Sequence, residues 1–313
     1  LGIVLGVAMQ LIRRLDSPPV RDCVLTIGAF DGIHRGHQAL IERLLAHAAR
    51  LGLPPVLLSF EPLPREFLQA QQPPARLTNL RERWRLLQAR GIERLCLLRF
   101  GQALRSLSAT QFMERLQAAR ARLVVVGHDF HFGRGGQADA QWCAERAAHY
   151  GFSVDVVDPV LIDGERASSG GVRTALASGD FAHAHRLLGR AYTMRGRVRG
   201  GARLGRQLGF PTANLAVKRR RVALDGVFAV RASDAGGLGR WPGVANLGTR
   251  PMAGGGPWLL EVHLFDFAGD LYGRELEVEF VARLRAEQRF ESMDAMVQQM
   301  QRDAAAARTA LGV

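Results

Sequence analysis

Apolar and polar positions in the first half of the chain follow two alternating rhythms. A short apolar run over residues 23–27 ends at Gly28 and reads as a buried strand. From His37 the period changes. Leu40, Leu44 and Ala48 fall four apart, and Ile41, Leu45 and Ala49 repeat that spacing one position on. The spacing predicts an amphipathic helix to about Arg50, stopped by Gly52 and Pro54. Further strands are predicted at 55–60, 95–100, 123–126 and 153–157. Between them, Thr78 is a candidate cap for a helix to Gln88 closed by Gly91, and Ser108 with Gln111 forms a capping box for a helix to Arg120. Another helix is expected over 137–149. Strands alternating with helices of this length predict an α/β domain built on a parallel sheet with helices on both faces. Ligands of such sheets collect beyond the carboxyl ends of the strands.

Near Gly189 the texture changes. Glycine becomes dense and the apolar runs short: 226–230, 243–246, 259–265 and 276–281. Apolar–polar alternation in the last of these marks a half-buried strand, and the turn signals between runs predict a small β-barrel. Helical spacing returns at 293–306, expected to pack across one barrel face. The pattern therefore divides the chain into a first domain, 9–184, and a second, 191–313, with the boundary at about 184–191.

Composition narrows the class. At 313 residues with 47% hydrophobic and 23% charged residues, the chain is an ordinary globular protein of about two domains. Three widely spaced cysteines, Cys23, Cys96 and Cys143, form no disulfide framework or zinc motif, and point to a reducing, cytoplasmic location. No apolar run reaches the length of a membrane span. Met9 is a candidate start, with residues 1–8 an extension ahead of it. The net charge of +13 raises nucleic acid as a partner, but the positive charge is mostly arginine spread along the chain. Its one dense run, Lys218–Arg221, reads as a solvated loop. Such a field also suits anionic small molecules. Neither a nucleic acid nor a membrane is expected as a partner, and the pattern specifies no oligomeric state.

Candidate chemistry gathers at the predicted strand ends. Gly28-Ala-Phe30-Asp31-Gly32-Ile-His34-Arg-Gly36-His37 is a strand-to-helix loop with two histidines at a helix mouth. Helix N-termini and glycines suit a polyphosphate, and the imidazoles can donate to phosphate oxygens as charge builds on a leaving group. It is not a GxxxxGK[ST] loop, since no lysine follows the glycines. A two-histidine metal site is the competing reading and would need further ligands. Later strand ends carry Asp129, Phe130 and Phe132, then Ser168, Ser169 and Arg173. These read as ribose or base, ring and phosphate contacts, or as a turn aspartate, core aromatics and an N-cap serine. In the second domain, Gly196-Arg-Val-Arg-Gly200 precedes Gly205-Arg-Gln-Leu-Gly209-Phe-Pro211-Thr212-Ala-Asn214. Thr212 and Asn214 point the same way if the segment is extended, and offer oxygens to a hard cation such as Mg²⁺. Glu261 is the acid in an apolar strand, either solvated or a general base.

These motifs resemble one family. GAFDGIHRGH is similar to the loop of nucleotidyltransferases that use H-x-G-H on ATP. Together with SFEPLPREFL, VVVGHDFHFGRG, SSxxVR, LGFPTANL, GVANLGTRP and LEVHLFDFAGDLYG, it resembles the bifunctional bacterial riboflavin kinase/FMN adenylyltransferases over nearly the whole chain from Met9. The resemblance implies a Rossmann-like nucleotidyltransferase domain followed by a riboflavin-kinase barrel with a terminal helix. It also implies two reactions of Mg²⁺-ATP: riboflavin to FMN, then FMN to FAD and pyrophosphate. Glu261 would be the kinase base, with Thr212 and Asn214 holding the Mg²⁺. His34, His37 and Arg173 would stabilise adenylyl transfer. Gly28, Phe30, Asp31, Gly32, Gly36, Asp129, Phe130, Ser168, Ser169, Gly196, Gly205, Gly209 and Pro211 would line nucleotide or flavin. Two positions depart from the pattern. Gly170 replaces a third hydroxyl before the arginine, and Met252 a common threonine.

Overall fold

In a computed structural model the described residues are 9–15, 21–200, 208–234, 236–249 and 257–313. Residues 1–8, Gly205 and Met252 lie outside them. In chain order, the first elements are β1 (Gln10–Ile12), β2 (Cys23–Ile27), α1 (Arg35–Leu51), β3 (Pro55–Glu61), α2 (Pro64–Leu68), α3 (Leu80–Gln88), β4 (Arg94–Arg99), α4 (Gln102–Arg105), α5 (Ala109–Ala118) and β5 (Ala121–Gly127). There follow β6 (His131–Phe132), β7 (Ala138–Asp139), α6 (Ala140–Arg146), β8 (Ser153–Val157), β9 (Leu161–Ile162), β10 (Glu165–Arg166), α7 (Ser169–Ser178) and α8 (Phe181–Leu188). The remainder is β11 (Thr193–Arg199), β12 (Ala213–Ala216), β13 (Gly226–Asp234), β14 (Arg240–Thr249), β15 (Trp258–Leu264), β16 (Glu275–Arg285) and α9 (Met293–Leu311).

Two compact units make up the fold. The first runs to Pro74 and from Arg83 to Ser168; the second comprises Ala75–Glu82 and Ser169–Val313. The grouping puts α7 and α8, which precede the boundary expected at 184–191, with the barrel on which they pack. Phe181 of α8 lies edge-on to Phe228 and stacked over Phe280, and Arg283 donates to the carbonyl of Ala177 at the end of α7.

The first unit holds the expected parallel sheet, in order β1-β4-β3-β2-β5-β8 among the described residues. The short edge strand β1 carries no pattern long enough to show in the sequence. Every residue of β2 is buried, as a strand covered on both faces requires. Leu25, Ile27, Val56, Leu58 and Val126 share one cluster with Phe112, Met113 and Leu116 of α5. Helix α1 buries Leu40, Ile41, Leu44 and Ala48, and Gly52 ends it in the left-handed conformation, its N–H on the carbonyls of Ala48 and Ala49. The capping box at Ser108 and Gln111 is present. The cap of α3 is Asn79 rather than Thr78: Asn79 Oδ1 accepts from Glu82 N–H and Glu82 accepts from Asn79 N–H. The helix expected over 137–149 is shorter, because Asp139 caps it from the short strand β7.

In the second unit, six antiparallel strands of the described chain close into a barrel in the order β11-β12-β15-β14-β13-β16. Alternation along β15 turns Leu260, Val262 and Leu264 to the buried interior and Glu261 and His263 to the opposite face. Helix α9 covers one side through Ala307 and Leu311, packed with Ala229 and Phe265. The segment 75–82 is a strap of this unit. Leu77 O accepts from Tyr192 Oη–H and Arg219 Nη2–H, and Glu82 accepts from Arg195 N–H and Arg219. Arg219 is therefore buried and ion-paired, which corrects the reading of 218–221 as a solvated run at that residue, while Lys218, Arg220 and Arg221 are exposed as expected. In the sequence Glu82 reads as one more polar residue of the strap, with no sign that it pairs with this arginine. Among the described residues no helix is long and apolar enough to cross a membrane.

Candidate functional site

In the first unit, β2 connects to β3 on one side of the sheet and β5 to β8 on the other. The crevice beyond the carboxyl ends of β2 and β5 is the topological switch point, where open α/β sheets take ligands. The histidine loop follows β2, and Asp129 with Phe130 follows β5. Sequence order alone could not show that these two loops flank the crevice.

The loop has an unusual backbone. Phe30, Gly32 and Ile33 all have positive φ, at 51°, 81° and 44°. Gly32 takes this region without penalty, but the other two carry strain of about 1–2 kcal/mol each. Complete burial of the Phe30 and Ile33 side chains holds them there. His34 is the N-cap residue of α1. Its ring stacks on that of His37 with centroids 3.7 Å apart, and His37 also meets Phe30 at 5.0 Å. Gln38 fixes the turn, its side-chain amide donating to Ile33 O and its N–H to His34 O. A side chain at Gly36 would put its Cβ 3.0 Å from Ala167 O and 3.2 Å from the His34 ring. Glycine there keeps the imidazole in place. Asp31 is buried in the same loop. Gly28 has a different duty: its N–H donates to Leu58 O and extends the sheet.

Arg83 on α3, which the sequence pattern did not single out, clamps this loop from behind. It is only 1% exposed and donates to Ala29 O, Ser59 Oγ, Phe60 O and Glu61 Oε2. An arginine on the apolar face of a helix was the available signal. Asp129 is exposed and ion-paired with Arg166. Phe130 is half-buried and stacks on Phe132, whereas Phe132 belongs to the core with Phe112 and Trp142. Ser168 ends the first unit. Ser169 opens α7 in the second, and Arg173 there donates through Nε to Ala75 O. Among the described residues no three His, Cys, Asp or Glu side chains gather as a metal site.

In the second unit, three outward positions line up across adjacent strands. Glu261 on β15 is the register partner of Asn214 on β12 and of Asn246 on β14. Thr212 precedes Asn214 by two residues in an extended segment. That segment is tied to β15, with His263 Nδ1 2.9 Å from Pro211 O and the His263 ring edge-on to Phe210. Asn214 is 8% exposed. Its Nδ2 donates to Thr212 O, while Oδ1 is buried with no hydrogen-bond partner among the described residues. A buried amide oxygen left without a donor costs about 1–3 kcal/mol. A hard cation would satisfy it, with the Thr212 hydroxyl as a second oxygen and waters or phosphate completing the shell. The residues present therefore fit a divalent cation. Gly196 on β11 packs closely, since a Cβ would meet the Leu215 side chain at 3.0 Å. Gly209 turns the chain into Phe210-Pro211 at φ 81°.

A histidine loop at the switch point of a parallel sheet, in a chain that also carries a closed barrel with Glu261 in register with Asn214, is the architecture expected of a two-domain phosphate-transfer enzyme. A family model described as FAD synthetase matches residues 16–171, and one described as riboflavin kinase matches 188–311. A bifunctional riboflavin kinase/FMN adenylyltransferase from Pseudomonas fluorescens is 48% identical over 96% of this chain and 97% of its own. Relatives of the same description are 41% identical in Escherichia coli K12, over 97% and 99%, and 38% identical in Haemophilus influenzae, over 94% and 97%. A solved structure described as a macrolide-efflux protein from Streptococcus pneumoniae superposes with TM-score 0.79 at 31% identity, covering 96% of this chain and 99% of its own. The chain belongs to the family of bifunctional riboflavin kinases/FMN adenylyltransferases. It is a bifunctional enzyme of flavin cofactor biosynthesis, with both catalytic domains present.

Proposed function

We propose that the barrel unit phosphorylates riboflavin with Mg²⁺-ATP and that the sheet unit adenylylates the resulting FMN with a second ATP, in the cytoplasm. The single observation that carries the kinase half is Glu261 standing in register with Asn214, whose buried oxygen lacks a donor among the described residues. Glu261 takes the proton of the ribityl 5′-hydroxyl, that oxygen attacks the γ-phosphorus, and ADP departs. Asn214 Oδ1 and the Thr212 hydroxyl hold Mg²⁺. The bound cation supplies positive charge to the phosphate oxygens during transfer. Positioning and charge neutralisation are the main work of such a site.

In the second reaction an FMN phosphate oxygen attacks the α-phosphorus of ATP and pyrophosphate leaves. The substrate phosphate is already a nucleophile, so no enzyme nucleophile is required. His34 and His37 donate to the phosphate oxygens as charge moves to the leaving pyrophosphate, and the dipole of α1 reinforces them. Phe30, Asp31, Gly32 and Gly36 shape that cradle, and Asp129 with Phe130 receives the nucleoside or flavin. For Ser168, Ser169 and Arg173 the support is the family resemblance, by which the serines line nucleotide or flavin and Arg173 stabilises adenylyl transfer. Three buried, unbridged thiols support a reducing compartment.

Riboflavin and MgATP given to the purified chain, with the flavins then separated by chromatography, test this reading. FMN followed by FAD is the expected result. FMN alone would remove the adenylyltransferase half, and unchanged riboflavin would remove the kinase half.

A further inference from the structure

The row of outward residues on the barrel does not end at Asn246. Beyond β16 the chain crosses to β14, where Asn246 Nδ2 donates to Glu287 Oε1 at 3.3 Å. The Glu287 carboxylate stands over Gly248, two residues along β14 and on the same face as Asn246. A Cβ at Gly248 would overlap Glu287 Oε1 and its carboxyl carbon. The carboxylate thus occupies the space that any side chain at 248 would fill. The start of this segment is anchored separately. Arg285 forms a two-pronged ion pair with Asp303 of α9 and donates to Ala286 O, while Gln299 also donates to Asp303. The chain leading to Glu287 is therefore anchored on α9 through Arg285, and the exposed Glu287 carboxylate itself meets β14 through Asn246.

An amide has two ends. With Nδ2 turned to Glu287, the Oδ1 of Asn246 is directed away from it, on the face shared with its register partner Glu261. We propose that Glu287 is a positioning residue of the kinase site, orienting Asn246 so that its carbonyl accepts a hydroxyl of the polyol acceptor beside Glu261. Glycine at 248 is the condition for this, because it leaves room for the carboxylate. This inference rests on the reading of Glu261 as the kinase base. It adds a second contact to the substrate, which acts on binding of the alcohol rather than on proton removal.

Steady-state kinetics of riboflavin phosphorylation in the full chain test the proposal. Gly248→Ala displaces the carboxylate without changing any polar group, and Glu287→Ala removes it. Each should raise KM for riboflavin roughly five- to tenfold at nearly constant kcat, the loss of one exposed, charge-assisted hydrogen bond. Glu287→Gln keeps an acceptor oxygen and should restore KM towards the parental value. FMN adenylylation should stay at the parental rate in all three, and an unchanged melting temperature shows that each variant is folded. Unchanged riboflavin KM in Gly248→Ala and Glu287→Ala, or a fall in kcat at constant KM, overturns the positioning role. Glu261→Gln assayed in parallel separates the two ideas. If it retains phosphorylation, the base assignment fails, whatever the Glu287 variants do. If it loses phosphorylation while the Glu287 variants are silent, only the present inference fails.

Discussion

Asn214 and Glu261 are register partners on neighbouring antiparallel strands of the barrel, on the face turned away from its apolar interior. One contributes a buried carbonyl oxygen without a donor among the described residues, the other a carboxylate. Paired positions of this kind have Cβ atoms about 4.5–5.5 Å apart, close enough for cation and base to serve one hydroxyl and one phosphate.

The proposed cation role of Asn214 predicts a dependence on metal concentration. Asn214→Ala and Thr212→Ala should each weaken MgATP binding in the kinase reaction roughly tenfold, the value of one good oxygen contact. Raising Mg²⁺ and ATP together should recover much of the rate. A defect that excess MgATP leaves untouched would assign these two side chains a role other than metal binding.

At the histidine loop, His34→Ala or His37→Ala should slow FAD formation roughly 100- to 1000-fold, the usual cost of one donor to developing charge. FMN formation from riboflavin should continue. Both rates come from one time course with separated flavins. FAD made at the parental rate would move the transfer site away from this loop.

The buried pair of Glu82 and Arg219 predicts a stability effect. Glu82→Ala leaves the Arg219 guanidinium uncompensated beside Leu77 O. Breaking such a pair from one side costs about 3–5 kcal/mol. Denaturant unfolding should therefore show a lower midpoint, and replacing both residues by apolar ones should recover much of the loss. A midpoint within error of the parent for the single variant would show the pair to be dispensable.

The three thiols give a pH prediction. Burial pushes Cys23 and Cys143 up to about 11 and Cys96 to about 12, from an ordinary 9.0. A raised folded pKa stabilises fully below the unfolded value and is lost as pH rises through the folded one. Stability should thus be insensitive to these groups below pH 9 and fall between about pH 9 and 12. At pH 8 a thiol reagent should find no reactive cysteine in the native protein and all 3 after denaturation. Rapid labelling of the native protein would contradict their burial.

Much of the architecture was legible because period and punctuation carry it. Leu40, Leu44 and Ala48 gave α1 and Gly52 its end, and the apolar run at 259–265 gave the strand that carries Glu261. The edge strand β1 was not legible, being 3 residues long, nor was the switch-point crevice, since strand order is not written in local pattern. Arg83 and Arg219 were missed or misread for one reason. A buried cation is revealed by its partners, and Ala29 O, Glu61 and Glu82 lie far from them in sequence or look like surface residues until the chain is folded. The strap at 75–82 shows the same limit. Nothing in its composition says that it belongs with strands more than a hundred residues later.

The central claim is that one chain carries two separable phosphate-transfer sites, with Glu261 the base of one. Glu261→Gln keeps the side chain's size and removes its basicity. Its rate of riboflavin phosphorylation, measured beside its rate of FAD formation from supplied FMN, is the most direct test. The account predicts a fall of roughly 100- to 10,000-fold in the first, not restored by excess MgATP, and no change in the second. Riboflavin phosphorylated at the parental rate would contradict it.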